Sequence, residues 1–263
     1  MKRLLISFVI MVLMFPNGLH AGENDSLIFL GLHIGLGYGM YCDMGVGEVR
    51  YGGMELLSEM SLTVHRGGWR HEVRTPCVAG GYWRQIRAAL PESYGLVPGV
   101  GYTALRTMWG AGGWRLLAGG GIDEMFDLRY NTTLGNNGVG TSNFLRLNVA
   151  GRMEWTSGHK WQLYSQLRLT AASVVMRPGY AYMANYDHTP DNPVKSHFAQ
   201  HGWAVVCGNA METATGASLT TRNGNRVTVE YLWHHLTSRT AKACPHRFDS
   251  AGHMIRLGLM FAL

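Results

Sequence analysis

The apolar positions of this chain recur at every second residue over long stretches, and no stretch keeps the 3.6-residue period of a helix. From Trp161 to Val175, the residues Trp161, Leu163, Ser165, Leu167, Leu169, Ala171, Ser173 and Val175 share one face, while Gln162, Tyr164, Gln166, Arg168 and Thr170 share the other. Leu145, Leu147, Val149, Gly151, Met153 and Trp155 oppose Arg146, Asn148, Arg152 and Glu154 in the same way. At the end of the chain Ile255, Leu257, Leu259, Phe261 and Leu263 oppose Met254, Arg256, Gly258 and Met260. Alternate side chains of a strand point to opposite faces, so each segment reads as a strand with one apolar and one polar side. The pattern predicts ten strands, at 27–40, 50–64, 69–84, 97–109, 114–128, 142–156, 161–176, 205–222, 227–239 and 250–263. The count spans 8–12, because the glycine-rich segment 27–40 can serve as a lead-in and 205–222, with its poor alternation, can be split.

The lengths decide which side faces inward. Strands of a soluble sandwich run about 5–6 residues, whereas a tilted crossing of a bilayer needs about 9–11. These segments exceed both, and their polar faces carry Arg and Glu at a density suited to a charged lumen. The expected fold is all-β: a transmembrane antiparallel up-and-down barrel whose apolar faces meet lipid.

The turns supply an orientation. Gly67-Gly68-Trp69-Arg70 is repeated as Gly112-Gly113-Trp114-Arg115, with a looser version at Ser157-Gly158-His159-Lys160-Trp161. Each is a tight turn followed by a Trp that opens a strand, and indole rings gather where the apolar band of a membrane barrel meets the headgroups. Trp69, Trp114 and Trp161 are therefore expected to form a girdle. Short connections at 65–68, 110–113, 157–160 and 223–226 alternate with long ones at 41–49, 85–96, 129–141, 177–204 and 240–249. Asn223-Gly224 is itself a hairpin signal. Outer-membrane barrels have short periplasmic turns and longer external loops, so the alternation puts both termini and the Trp girdle on the periplasmic side.

The chain opens with Lys2 and Arg3, an apolar run from Leu4 to Phe15, and a small-residue exit at Ala21. That order reads as a cleaved secretory signal peptide over 1–21, leaving 22–263 as one barrel domain. Glycine is abundant, at 35 residues, and only 15% of residues are charged. A formal charge of +6, two units of which belong to Lys2 and Arg3, is too weak and dispersed to imply nucleic acid.

The alternating chain without helices and its final strand, ending Leu257-Gly258-Leu259-Met260-Phe261-Ala262-Leu263, resemble a bacterial outer-membrane β-barrel. Tyr51-Gly52-Gly53-Met54-Glu55 and His234-His235, His246-Arg247-Phe248 and His253 resemble segments of small barrels from Bacteroidetes-type bacteria. The resemblance implies an outer-membrane location in a Gram-negative cell, with membrane lipids and the barrel-assembly machinery as partners. It carries no functional residue with it, and Leu263 stands where a terminal aromatic is commoner.

Candidate chemistry follows from the inward register. It places Glu55 and Glu59, then Arg70, Glu72 and Arg74, then Arg106, Arg115, Asp123, Arg146, Arg152, Glu154, Arg168, Glu230 and Arg256 inside the barrel. Arg–carboxylate pairing across a lumen so narrow would be structural, because lone buried charges are costly. Spare arginines would instead give a narrow pore with weak anion preference. The expected function is thus a non-enzymatic barrel, either structural and surface-binding or a narrow passive channel. The alternative is a lipid acyl hydrolase with a His and a Ser on one strand face near the outer rim. That chemistry wants His and Ser two residues apart, whereas here His235 is followed by Thr237, and His234 shares parity with Ser238 only at four residues. The scattered histidines form no converging set of three or four ligands, so neither a metal nor a cofactor is expected. The longest loop, 177–204, holds Tyr180, Tyr182, Tyr186, Phe198 and Trp203, which suits either a cap over the lumen or a contact surface. Cys42 and Cys244 lie in the first and last long loops, which adjoin when the barrel closes, so a disulfide between them is expected. Cys77 and Cys207 are left as free thiols.

Overall fold

The computed structural model describes residues 27–44, 49–84, 90–133, 139–158, 160–178, 201–238 and 247–263. The expected leader at 1–21, Cys244 and most of the loop 177–204 lie outside the described residues, as does the expected Cys42–Cys244 disulfide. Seven long strands come first: β1 (Leu27–Asp43), β2 (Arg50–Arg66), β3 (Trp69–Trp83), β4 (Ser93–Ala111), β5 (Trp114–Asn131), β6 (Val139–Ser157) and β7 (Trp161–Pro178). They are followed by β8 (His201–Val206), β9 (Ala210–Thr220), β10 (Arg226–Ser238) and β11 (Phe248–Ala262). Apart from β8 and β9, each strand pairs antiparallel with its sequence neighbour, and β1 pairs with β11 from Phe29–Ala262 to Asp43–Phe248, which closes the sheet on itself. β8 and β9 both pair with β7 and together make one wall position, so the closed barrel has ten strands. The break at Cys207–Asn209 explains the poor alternation of 205–222.

The two ends of the barrel differ. At the turn end, Arg66 pairs with Trp69 across Gly67 and Gly68, both at positive φ (55° and 79°). Ala111 pairs with Trp114 across Gly112 and Gly113, at 57° and 85°. Two successive positive φ angles make the type I′ turn that matches strand twist, which is why each phrase carries two glycines. The other end carries the longer connections. Strands of 15–19 residues exceed the length needed to cross a bilayer.

Burial alternates as the sequence pattern requires. On β1, Leu32, Ile34, Leu36 and Met40 face outward and are exposed, while Phe29, His33 and Tyr41 are buried inside. Glycines at 31, 35, 37 and 39 complete the inner face of β1. At Gly39 a Cβ would lie 2.0 Å from Glu55 Oε1, so the missing side chain is what lets the Glu55 carboxylate lie across this strand.

Two bulges alter the expected register, and a third irregularity interrupts the ladder without shifting it. Leu147 pairs with Ala172 and Asn148 with Thr170, so Ala171 is an extra, bulged residue in β7. The bulge reverses the parity beyond it, and Ser173 and Val175, expected on the lipid face, are buried inside. A second bulge lies at Met108, between the pairs Thr107–Leu117 and Trp109–Leu116. Between β3 and β4 the ladder lacks its rungs at Thr75–Val100 and Pro76–Gly99, and between β4 and β5 it lacks those at Val97 and Pro98. The register is the same on either side of each gap; proline has no N–H to donate.

Candidate functional site: the lumen

The interior is built in three layers. At the turn end, Arg70 binds Glu72 (2.8 Å), and Arg152 and Arg115 both bind Glu154 (2.7 Å each). Arg152 also donates to Gln166 (3.1 Å) and lies 3.9 Å over the Tyr164 ring. Arg115 is the outermost member, with 45% of its side chain exposed at the mouth.

Above this floor lies a second set of ion pairs, some between neighbouring strands and some across the barrel. Arg256 on β11 bridges Glu59 on β2 (2.5 Å) and Glu230 on β10, which also accepts from the Tyr164 hydroxyl. Arg74 on β3 makes a two-pronged contact with Glu212 on β9 (2.9 and 3.2 Å). Arg168 on β7 binds the same Glu212 and reaches Glu72 at 3.6 Å. Arg146 donates to Asp123 (2.5 Å), which also accepts from Asn148 (2.6 Å). His33 meets Ser61 at 3.0 Å, its ring over Gly31 and Gly258.

The loop-end layer is aromatic. Tyr41, Tyr51, Tyr82, Phe144 and Phe248 form one buried cluster with Val175, Ala210 and Leu236. Tyr41 stacks on Tyr51 at 5.0 Å and meets Tyr82 edge-on at 5.1 Å; Phe144, fully buried, lies 6.0 Å from Phe248. Arg129, held by Asp127 (2.9 Å), lies 3.7 Å over the Tyr41 ring. Arg177 lies 4.8 Å from the Phe248 ring and binds Asp43 (2.6 Å). The hydroxyls are spoken for: Tyr41 donates to Ser93 (2.6 Å), Tyr82 to Glu55 (2.7 Å), and Tyr51 accepts from Asn131 (2.9 Å). Between this seal and the cross-barrel ion pairs lies a cavity of about 130 Å³.

Most of the residues expected in the lumen are there. Glu55, Glu59, Arg70, Asp123, Arg146, Arg152, Glu154, Arg168, Glu230 and Arg256 are buried, and Glu72 and Arg74 join the network from β3. Arg106 is the correction. It is exposed on the outer face, with its guanidinium 5.9 Å over the ring of Trp69, because odd positions of β4 point inward and Leu105 fills the interior at this height. Trp69, Trp114 and Trp161 stand outward at the turn end, 39%, 42% and 51% exposed. Trp155 joins them, 6.2 Å from Trp114, and His71 and Tyr102 continue a stack from Trp69 at 5.8 and 6.1 Å.

The sequence reading missed Glu212, Asp127, Arg129 and Arg177, together with the aromatic seal. These residues lie near or beyond the expected strand ends or in the split strand, and only the lengthened strands and the β7 bulge assign their side. His234 and His235 do not act together: His234 points inward over Gly252, while His235 points outward and stacks on Trp233 at 6.3 Å. Ser238 is fully buried without a hydrogen bond among the described residues, so no rim His–Ser pair is assembled there.

A ten-stranded closed antiparallel barrel with a charged interior and an apolar, tryptophan-girdled exterior has known counterparts. The fold is that of the bacterial outer-membrane β-barrels. The outer-membrane protease OmpT of Escherichia coli superposes with a TM-score of 0.53 at 9% identity, over 92% of this chain and 98% of that one. The translocator domain of the autotransporter NalP from Neisseria meningitidis gives 0.49 at 8% identity, over 99% of this chain and 96% of that one. Neisserial surface protein A gives 0.30 at 9% identity, over 87% of this chain and 96% of that one. No family model and no curated protein matches the sequence. At these identities the likeness concerns the fold alone.

Proposed function

We propose that this chain is a non-enzymatic barrel of a bacterial outer membrane whose lumen is closed to passive flow, and that it serves structure and binding at the cell surface. The observation that carries this reading is the pairing of charge across the interior beneath an aromatic seal. Arg74–Glu212 joins β3 to the β8/β9 position directly opposite it in the ring, and Arg256 ties β11 to both β2 and β10. Arginines committed in this way do not offer the unpaired positive charge that an anion-preferring pore needs, and breaking such a pair leaves a buried charge uncompensated. The short glycine turns and the Trp girdle support a periplasmic turn end, with both termini there and the long connections outside. The seal then lies in the part of the barrel that projects from the outer leaflet. The membrane lipids and the assembly machinery are the partners this location implies, in the small Bacteroidetes-type setting that the Tyr51–Glu55 segment resembles. Single-channel recording in a planar bilayer tests the reading: a folded barrel without conductance steps supports it, and steady conductance overturns it.

A further inference from the structure

The cavity between the seal and the ion pairs has no part in the closed-lumen reading. Its volume of about 130 Å³ is close to the roughly 150 Å³ of an engineered apolar cavity that holds benzene. Its surface is mainly apolar, supplied by Leu57, Val78, Val97, Met125, Met211 and Met254. The charged groups on its wall are mostly spent on one another: Arg74 on Glu212, Arg146 on Asp123 and Arg129 on Asp127.

Two groups are exceptions: Arg129 Nη1 is buried without a partner, and His234 is the other. It lines the cavity opposite Glu212 in the β9–β10 ladder and has no hydrogen-bond partner among the described residues. Its ring lies over Gly252, where a Cβ would stand 2.7 Å from Cε1, and the Glu55 carboxylate lies over the same glycine at 3.2 Å. Glu55 Oε1 accepts from Tyr82, but Oε2 is buried without a partner. An imidazole nitrogen and a carboxylate oxygen thus remain as acceptors at the edge of an apolar space. A guest at this edge is stabilised by donating a hydrogen bond.

We propose that this cavity binds a small neutral molecule with an apolar body of about benzene size and one hydroxyl head, the head donating to the His234–Glu55 edge. The wall beside it lacks ladder rungs on both sides of β4, at Pro76–Gly99 toward β3 and at Val97 toward β5, so local opening there admits a guest through the wall. The site adds to the closed-lumen reading and is tested by a different signal, so either can fail alone.

The experiment is methionine-methyl NMR on the folded full-length barrel in detergent micelles, titrated with phenol and, separately, with toluene. Met125, Met211 and Met254 line the cavity, whereas Met54, Met60 and Met153 face outward and report partition into the micelle. The expected result is a saturating shift at the three cavity methionines only, with phenol bound about tenfold more tightly than toluene, the worth of one hydrogen bond to a buried partner. Val78→Trp fills the space and abolishes the saturating shift; if that variant fails to fold, Val97→Phe takes its place. His234→Leu keeps toluene binding and loses the preference for phenol. Cavity methionines that shift only in parallel with the outward ones overturn the proposal. So do saturating shifts that survive the filled cavity, or a phenol preference that survives His234→Leu.

Discussion

Arg74 on β3 and Glu212 on β9 meet across the full width of the barrel, Nη1 to Oε1 at 2.9 Å and Nη2 to Oε2 at 3.2 Å. Because Arg168 binds the same carboxylate and also reaches Glu72, the contact is the hub of a network and not an isolated pair. Removing one partner of a buried pair costs about 3–5 kcal/mol, whereas replacing both by apolar groups of similar volume is close to neutral. Arg74→Met leaves Glu212 paired with Arg168 and is expected to cost less than that, whereas Glu212→Leu takes the carboxylate from both Arg74 and Arg168 and is expected to cost that amount or more. Urea unfolding of the barrel refolded into lipid vesicles measures both. A double variant whose cost equals the sum of the two single costs would show that the pair is not coupled.

The seal is open to a direct perturbation. Phe144 and Phe248 come from strands on opposite sides of the barrel and leave almost no exposed surface. Replacing both by Ala removes the central rings of the layer while leaving the ion pairs beneath in place. Influx of a small neutral sugar into vesicles carrying the double variant is expected to exceed the wild-type rate severalfold. Unchanged influx would mean that the aromatic layer does not limit access.

The girdle makes a prediction about depth. Trp69, Trp114 and Trp161 stand outward at one end, and the exposed Arg106 lies over Trp69. Their fluorescence should be quenched more strongly by lipids brominated near the carbonyl than by lipids brominated near the chain end, since indoles settle at the interface. The comparison uses variants that retain one girdle Trp at a time, and deeper quenching at Trp114 or Trp161 would move the turn end into the hydrocarbon.

The orientation is checked on intact cells. An epitope inserted between Asp187 and His188, in the longest connection, should be reached by antibody without permeabilisation. The same epitope inserted between Asn223 and Gly224 should be reached only after it. The reverse pattern would turn the barrel over.

How much of this could be read beforehand depended on parity. A two-residue period fixes which side each residue takes only while the strand is unbroken. On β6 and the first part of β7 the ladder is regular, and Arg146, Arg152, Glu154 and Arg168 lie where the alternation placed them. Beyond Ala171 one extra residue exchanges the faces, which moved Val175 into the seal and hid it from the pattern. Polar and glycine-rich residues interrupt the alternation around Tyr41 and Arg129, so the pattern alone ends both strands early, yet pairing with neighbours extends β1 to Asp43 and β5 to Asn131. Pairing of Arg74 with Glu212 was out of reach of any local pattern, since it depends on which strands face each other once the ring has closed.

The most direct test of the closed lumen is conductance of the purified, folded barrel in planar bilayers at high salt, recorded beside the Phe144→Ala/Phe248→Ala variant carrying Arg74→Met and Glu212→Leu. The expected record shows no steps from the wild type and small, discrete steps from the fourfold variant. Steady, ohmic steps from the wild type, of the same size as those of the variant, would contradict a barrel sealed by its aromatic layer and its cross-lumen ion pairs.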